Sequence, residues 1–387
     1  MKSAVSGNPN KKQKKSVRRK KTSPSDFWIT FCIITLTCIG VMMVFSASIY
    51  QSGAIYDDQY AIFQKQLLFS VVGIFTMFFV SRINYKIYQK YAFHLLVLSI
   101  VLLLLVFVPG IGHYANGAYR WIRIFGVSLQ TSEVAKIAVI IFMAASLTSI
   151  KDKVRTFRVG FLPYMFLMVV VCGIIIMQPN LSTTLIIAMI IIGMLFVAGG
   201  NMIYLGSLFG SVAAAAVYLI LTGWRKDRWE AFINPESNLT GTGWQSRQSI
   251  LALGSGGVFG QGLGNGKQKM FFLPEPQNDF IYAHIGEELG LIGTLIILIL
   301  FLVLIWRGIK VSMEAPDTFS SLLAFGLIFM IGIQVVINIA VVTQLIPVTG
   351  IPLPFISAGG TSIVFLMGGM GIMLNISKHI PSKRRKI

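Results

Sequence analysis

Asp279 is the carboxylate in this sequence whose surroundings best suit chemistry. It ends the turn-forming run Leu273-Pro-Glu-Pro-Gln-Asn-Asp279 and stands just before an apolar stretch. A carboxylate at such a helix start, beside apolar surface, can serve as a general base, and it can equally be a helix cap. Between Gln245 and Gly290 the chain also carries Lys267, Lys269, Glu275, Glu287 and Glu288, with glycine runs at Gly254-Ser-Gly-Gly257 and Gly260-Gln-Gly-Leu-Gly-Asn-Gly266. Backbone amides of that loop, with Lys267 and Lys269, suit an anion; the alternative is a flexible loop. A Walker nucleotide site is excluded, because Gln261 and Gln268 stand where Gly and Ser or Thr are required.

Earlier in the chain, Glu133 and Lys136 lie three residues apart, which puts both on one helix face as a packing pair or part of a substrate path. Ahead of them, Arg120 and Arg123 in Asn116-Gly-Ala-Tyr-Arg120-Trp-Ile-Arg123 could grip a phosphate in bidentate fashion or anchor to headgroups. Gln178-Pro-Asn-Leu-Ser-Thr183 reads as a tight turn or a broken helix lining a cavity. Pro347 to Ser362, with three prolines and three glycines, cannot be regular helix and reads as a re-entrant loop beside Asp279.

The elements that must position these groups are apolar. With 55% hydrophobic and 12% charged residues over 387 positions, the composition is that of an integral membrane protein. Runs of bilayer-spanning length occur at 27–50, 62–80, 91–108, 131–148, 161–177, 182–199, 202–221, 284–306, 318–343 and 361–376. The expected fold is therefore all-α, with ten transmembrane helices in one domain over 27–380 between basic tails at 1–26 and 381–387. Its outer loops are expected at 109–130, 222–283 and 344–360, the long extracytoplasmic one joining helices 7 and 8. An even number of spans puts both termini on one side, and the basic runs Lys11 to Lys21 and Lys383 to Lys386 make that side the cytoplasm.

The net charge of +19 is concentrated in those tails and in predicted inner loops, which fits anionic lipid and leaves nucleic acid a poor explanation. Cys32, Cys38 and Cys172 lie in apolar runs without Cys-x-x-Cys spacing, and the four histidines show no metal-binding spacing.

Over 27–380 the chain closely resembles the SEDS family of shape, elongation, division and sporulation proteins, which includes FtsW, RodA and SpoVE. The resemblance rests on Asn116-Gly to Arg120-Trp121, Gln130-Thr-Ser-Glu133 with Lys136, and Gln178-Pro. It rests further on the Gly254 to Lys269 loop, Leu273-Pro-Glu with Asp279-Phe280, Gly286-Glu-Glu-Leu-Gly290, and Pro347 to Ser362. It implies a bacterial cytoplasmic-membrane glycosyltransferase that polymerises lipid II into glycan strands beside a class B penicillin-binding transpeptidase, within a division or sporulation complex. It carries the family's essential aspartate onto Asp279. Substrate-binding roles are expected at Arg120, Arg123, Glu133, Lys136, Lys267, Lys269, Glu275 and Ser357. No resident cofactor is expected, although a divalent cation, magnesium or manganese, could assist the diphosphate. Members often have Asp, Gly and Tyr where Asn180, Ser182 and Ala358 stand here. The alternatives are a lipid II flippase, which needs no base, or a non-catalytic scaffold.

Overall fold

The computed structural model describes residues 24–381 apart from 116, 125, 223–225, 235–240, 271 and 274. Both basic runs of the tails lie outside the described residues.

Every apolar run read from the sequence falls on a helix. The helices are α1 (Phe27–Tyr56), α2 (Ala61–Val80), α3 (Lys86–Leu105), α4 (Thr131–Ile150), α5 (Leu162–Met177), α6 (Leu181–Val197) and α7 (Met202–Thr222). Two short helices follow, α8 (Lys226–Ile233) and α9 (Thr242–Ser255), then α10 (Ile281–Glu314), α11 (Thr318–Val342) and α12 (Thr361–Lys378). Among the described residues nine helices are long and apolar enough to cross a membrane, and α6 is a shorter apolar helix of 17 residues. The protein is thus a multi-pass membrane protein.

Two expectations change. The segment read as an outer loop at 109–130 is a three-stranded antiparallel sheet of β1 (Gly112–Ala115), β2 (Ala118–Ile124) and β3 (Val127–Gln130), in that order. Glycines with positive φ at Gly117 and Gly126 make the two turns, a conformation that costs glycine little. The helix over the predicted span 284–306 is longer than that run and extends from Ile281 to Glu314, with a non-helical residue inside it at Gly290.

Local chemistry sets several helix starts. Asp26 accepts from the Ile29 amide, Asn180 from Thr183, and Asp317 forms a capping box with Ser320. These caps satisfy amides that have no partner inside the helix. Polar staples close one end of the bundle: Asp26 pairs with Arg307, the Tyr85 hydroxyl donates to Asp317 at 2.6 Å, and Asn375 bonds main-chain groups of Ser81 and Tyr85. The functional groups gather at the other end. Consecutive helices α2 and α3 pack on different neighbours, α2 on α12 and α1, α3 on α4 and α5.

Candidate active site

A cavity of about 580 Å³ lies among α1, α2, the sheet, α4, α6, α8 and the segments before α10 and α12. Its lining brings together Asp279, Glu275, Arg120, Glu133 and Lys136. It also includes Arg228 and Lys65, which the sequence reading passed over.

The sheet and α4 form one wall. Arg120 and Trp121 sit on β2, and β3 continues without a break into α4, so the strand register fixes the arginine relative to the first turns of that helix. In α4, Glu133 and Lys136 form an ion pair at 2.8 Å, with side chains 14% and 4% exposed. Arg120 donates from Nε to the Gln178 carbonyl at 3.2 Å and from Nη2 to that of Pro179, tying the sheet to the turn between α5 and α6. Asn180 and Thr183 beyond that turn line the cavity.

The facing wall is made of loops. Asp279 lies directly ahead of α10, its main-chain carbonyl held by the Asn338 side chain of α11 at 2.9 Å. The same amide donates to Ile351 at 2.8 Å, joining the Asp279 segment to the loop at 344–360. Gln277 accepts from the Ala358 amide at 2.9 Å and donates its side-chain amide to Gln51 at 2.6 Å. Arg228, on α8, donates to the Val348 carbonyl at 3.0 Å.

Burial pushes the Asp279 carboxyl up to about 6, and the Glu275 charge adds to the rise, while Arg228 and Arg120 hold it down. A carboxylate tuned this way is a competent base near neutral pH. Burial also lowers Arg120 and Arg228, and they repel each other, yet Asp279 favours the charge of both. Two desolvated guanidinium groups facing one carboxylate form a site able to take a diphosphate.

Four expected site residues do not line the cavity. Arg123 is exposed on β2. Lys267 is exposed, and its main-chain amide donates to Glu287 at 2.7 Å. Lys269 is buried, with its ammonium 2.7 Å from Glu288 and bonded to Ser46 and the Gly264 carbonyl, so its charge is already matched. Ser357 is buried and accepts the Leu353 amide at 2.8 Å, shaping its own loop. Glu275 does line the cavity, exposed and accepting from Asn278 at 2.8 Å. Arg228 was legible only as one charge in a short amphipathic segment, where Lys226 and Glu230 pair at 3.3 Å. Among the described residues no three His, Cys, Asp or Glu side chains converge as metal ligands.

Fold and cavity together define a multi-pass membrane protein with a carboxylate and several cations converging at one end of its helix bundle. Residues 27–381 match the family model described as Cell cycle protein, that of FtsW, RodA and SpoVE, and the chain belongs to this family. It is 44% identical over 355 residues, 91% of this chain and 93% of the relative, to a Trichlorobacter lovleyi protein named "Probable peptidoglycan glycosyltransferase FtsW". It is 42% identical over 361 residues, 93% of this chain and 98% of the relative, to stage V sporulation protein E of Bacillus subtilis. The rod shape determining protein RodA of Thermus thermophilus has the same fold, with a TM-score of 0.68 at 23% identity over 92% of this chain and 97% of that one. So does a chain of a peptidoglycan synthase complex described as coordinating polymerization and crosslinking, with a TM-score of 0.74 at 22% identity over 94% and 99%.

Proposed function

We propose that the chain is a peptidoglycan glycosyltransferase that polymerises lipid II on the outer face of the bacterial cytoplasmic membrane, with Asp279 as general base. The observation that carries the reading is the half-buried Asp279 carboxylate facing Arg120 and Arg228 in one cavity, its pKa raised to about 6. The acceptor's sugar hydroxyl attacks the anomeric carbon of the donor; Asp279 takes the proton; the bond from that carbon to the diphosphate oxygen breaks with inversion. Arg120 and Arg228, with Lys65 in the same lining, offset the charge that develops on the departing polyprenyl diphosphate. A divalent cation would rest mainly on substrate phosphate.

Both termini are then cytoplasmic, as the basic tails favour. A class B penicillin-binding transpeptidase as partner is supported by the fold shared with a chain of a peptidoglycan synthase complex. A role in division or sporulation is supported by relatives named FtsW and stage V sporulation protein E.

The test is polymerisation of labelled lipid II by the purified protein with its cognate transpeptidase, wild type against Asp279→Asn. Losing base catalysis should cost about 100-fold to 10,000-fold in rate. A glycan ladder surviving at full rate in the mutant would move the base elsewhere. No ladder from a folded, partnered wild type would favour the flippase.

A further inference from the structure

Helix α10 holds 34 residues, about 51 Å of helix, against about 30 Å of bilayer hydrocarbon. Gly290 divides it, with φ 67° and ψ −164°. From Ile281 to Glu288 every residue is buried, whereas Leu291, Ile292, Leu295, Ile296, Ile299 and Leu302 beyond the break are exposed. The lipid-facing span is therefore the later part, and residues 281–289 form a separate short helix inside the protein whose first turn follows Asp279.

A break in a helix strands main-chain groups, and here the glycine loop meets them. The Gln261 and Gly262 amides donate to the Glu287 and Glu288 carbonyls, each at 3.0 Å. In return the Leu291 and Ile292 amides donate to the Gly257 and Val258 carbonyls at 2.9 and 3.2 Å. The approach leaves no room for side chains: a Cβ on Gly256 would lie 1.9 Å from the Gly286 carbonyl oxygen, and one on Gly260 would lie 2.2 Å from that of Glu288.

Side chains lock the same contact. Glu287 accepts the Lys267 and Gln268 amides at 2.7 and 3.1 Å. Glu288, fully buried, accepts the Gly266 amide at 3.3 Å, the Ser46 hydroxyl of α1 at 2.7 Å and the Lys269 ammonium at 2.7 Å. None of these groups lines the cavity.

We propose that Lys269, Glu287 and Glu288 are positioning residues for Asp279: by seating the glycine loop in the break at Gly290, they fix where the helix 281–289 presents that carboxylate. The competing arrangement is a continuous α10, which satisfies its own backbone without the loop and carries Asp279 elsewhere. A displacement of about 1 Å at the reacting group suffices for a rate loss of about 100-fold. The inference rests on Asp279 as the base, and its test includes a readout that does not.

Asn278→Cys is introduced into a full chain whose Cys32, Cys38 and Cys172 are alanine, and its rate of modification by a water-soluble maleimide is measured with and without Glu288→Gln. Lipid II polymerisation is followed in parallel on the chain with native Asn278, in complex with its transpeptidase. The expected result is a several-fold change in labelling rate and a fall in kcat of about 10-fold to 100-fold with KM held, since the substrate-facing groups are untouched. Lys269→Met should behave alike and Lys269→Arg should retain function. Ser46→Ala, which removes the hydroxyl's bonds to Glu288 and Lys269 but no charge, gives a smaller change in the same direction and serves if Glu288→Gln does not fold. Unchanged labelling at position 278 in the folded variants would overturn the proposal. An inactive wild type whose labelling still responds to Glu288→Gln would sink the proposed reaction and leave the positioning role standing.

Discussion

The side-chain amide of Asn338 donates at 2.9 Å to the main-chain carbonyl of Asp279. Through a second bond to Ile351 at 2.8 Å it joins the two loops that form one wall of the cavity. Asn338→Ala strands two carbonyls, which should lower stability by about 1–3 kcal/mol. Asn338→Asp is the more severe change, because it points oxygens at oxygens. Thermal unfolding of the purified variants, with polymerisation rates measured well below each midpoint, checks both effects; an Asn338→Asp protein as active as wild type would contradict them.

The raised Asp279 carboxyl predicts a pH dependence of known sign. As a base it works ionised, so kcat/KM rises with pH through about 6 and flattens above. Stability runs the opposite way. Folding takes up a proton between the ordinary value of 3.8 and about 6, so this group's contribution to stability falls as pH rises through that window. Asp279→Asn, which cannot ionise, should therefore be more stable than wild type above pH 6, by about 1–3 kcal/mol, and lose that advantage below pH 4. Paired denaturation curves at the two pH values decide it.

Arg228 holds the Asp279 carboxyl down. Removing its charge with Arg228→Gln should move the acid limb of the pH–rate profile to higher pH. It should also weaken binding of a diphosphate-bearing substrate. An unmoved limb with reduced rate would restrict Arg228 to its hydrogen bond with Val348.

The Glu133–Lys136 pair separates packing from chemistry. Lys136→Met leaves a mostly buried carboxylate without its partner, at a cost of about 3 kcal/mol. Adding Glu133→Gln should recover most of that stability. If Lys136 also meets substrate, the recovered protein stays impaired in polymerisation; full recovery of rate would make the pair structural.

The helices were legible because runs of bilayer length have few other fates, and Glu133 with Lys136 because their spacing is local. Lys269 was not. Beside glycines in sequence it resembles an anion ligand, but its partner Glu288 lies on another element, and burial of that pair overrides the local pattern. The sheet carried a faint signal, with Gly117 and Gly126 bounding the short β2 segment. Composition makes Asn338 only an amide in an apolar helix; a polar group at such depth needs a partner, and its being the Asp279 carbonyl follows from tertiary contact. Arg228 lay in an eight-residue amphipathic helix with nothing in its neighbours to mark it.

Gly290 follows Asp279 by eleven positions, with Asn338 gripping one end of that interval and the glycine loop the other. The interval is a ruler nailed down at both ends. Adding or removing one residue within a helix turns everything beyond it by about 100° and shifts it by about 1.5 Å. Apolar side chains along 281–285 can be exchanged for others of similar volume, but the number of residues cannot change without aiming the carboxylate at a different wall.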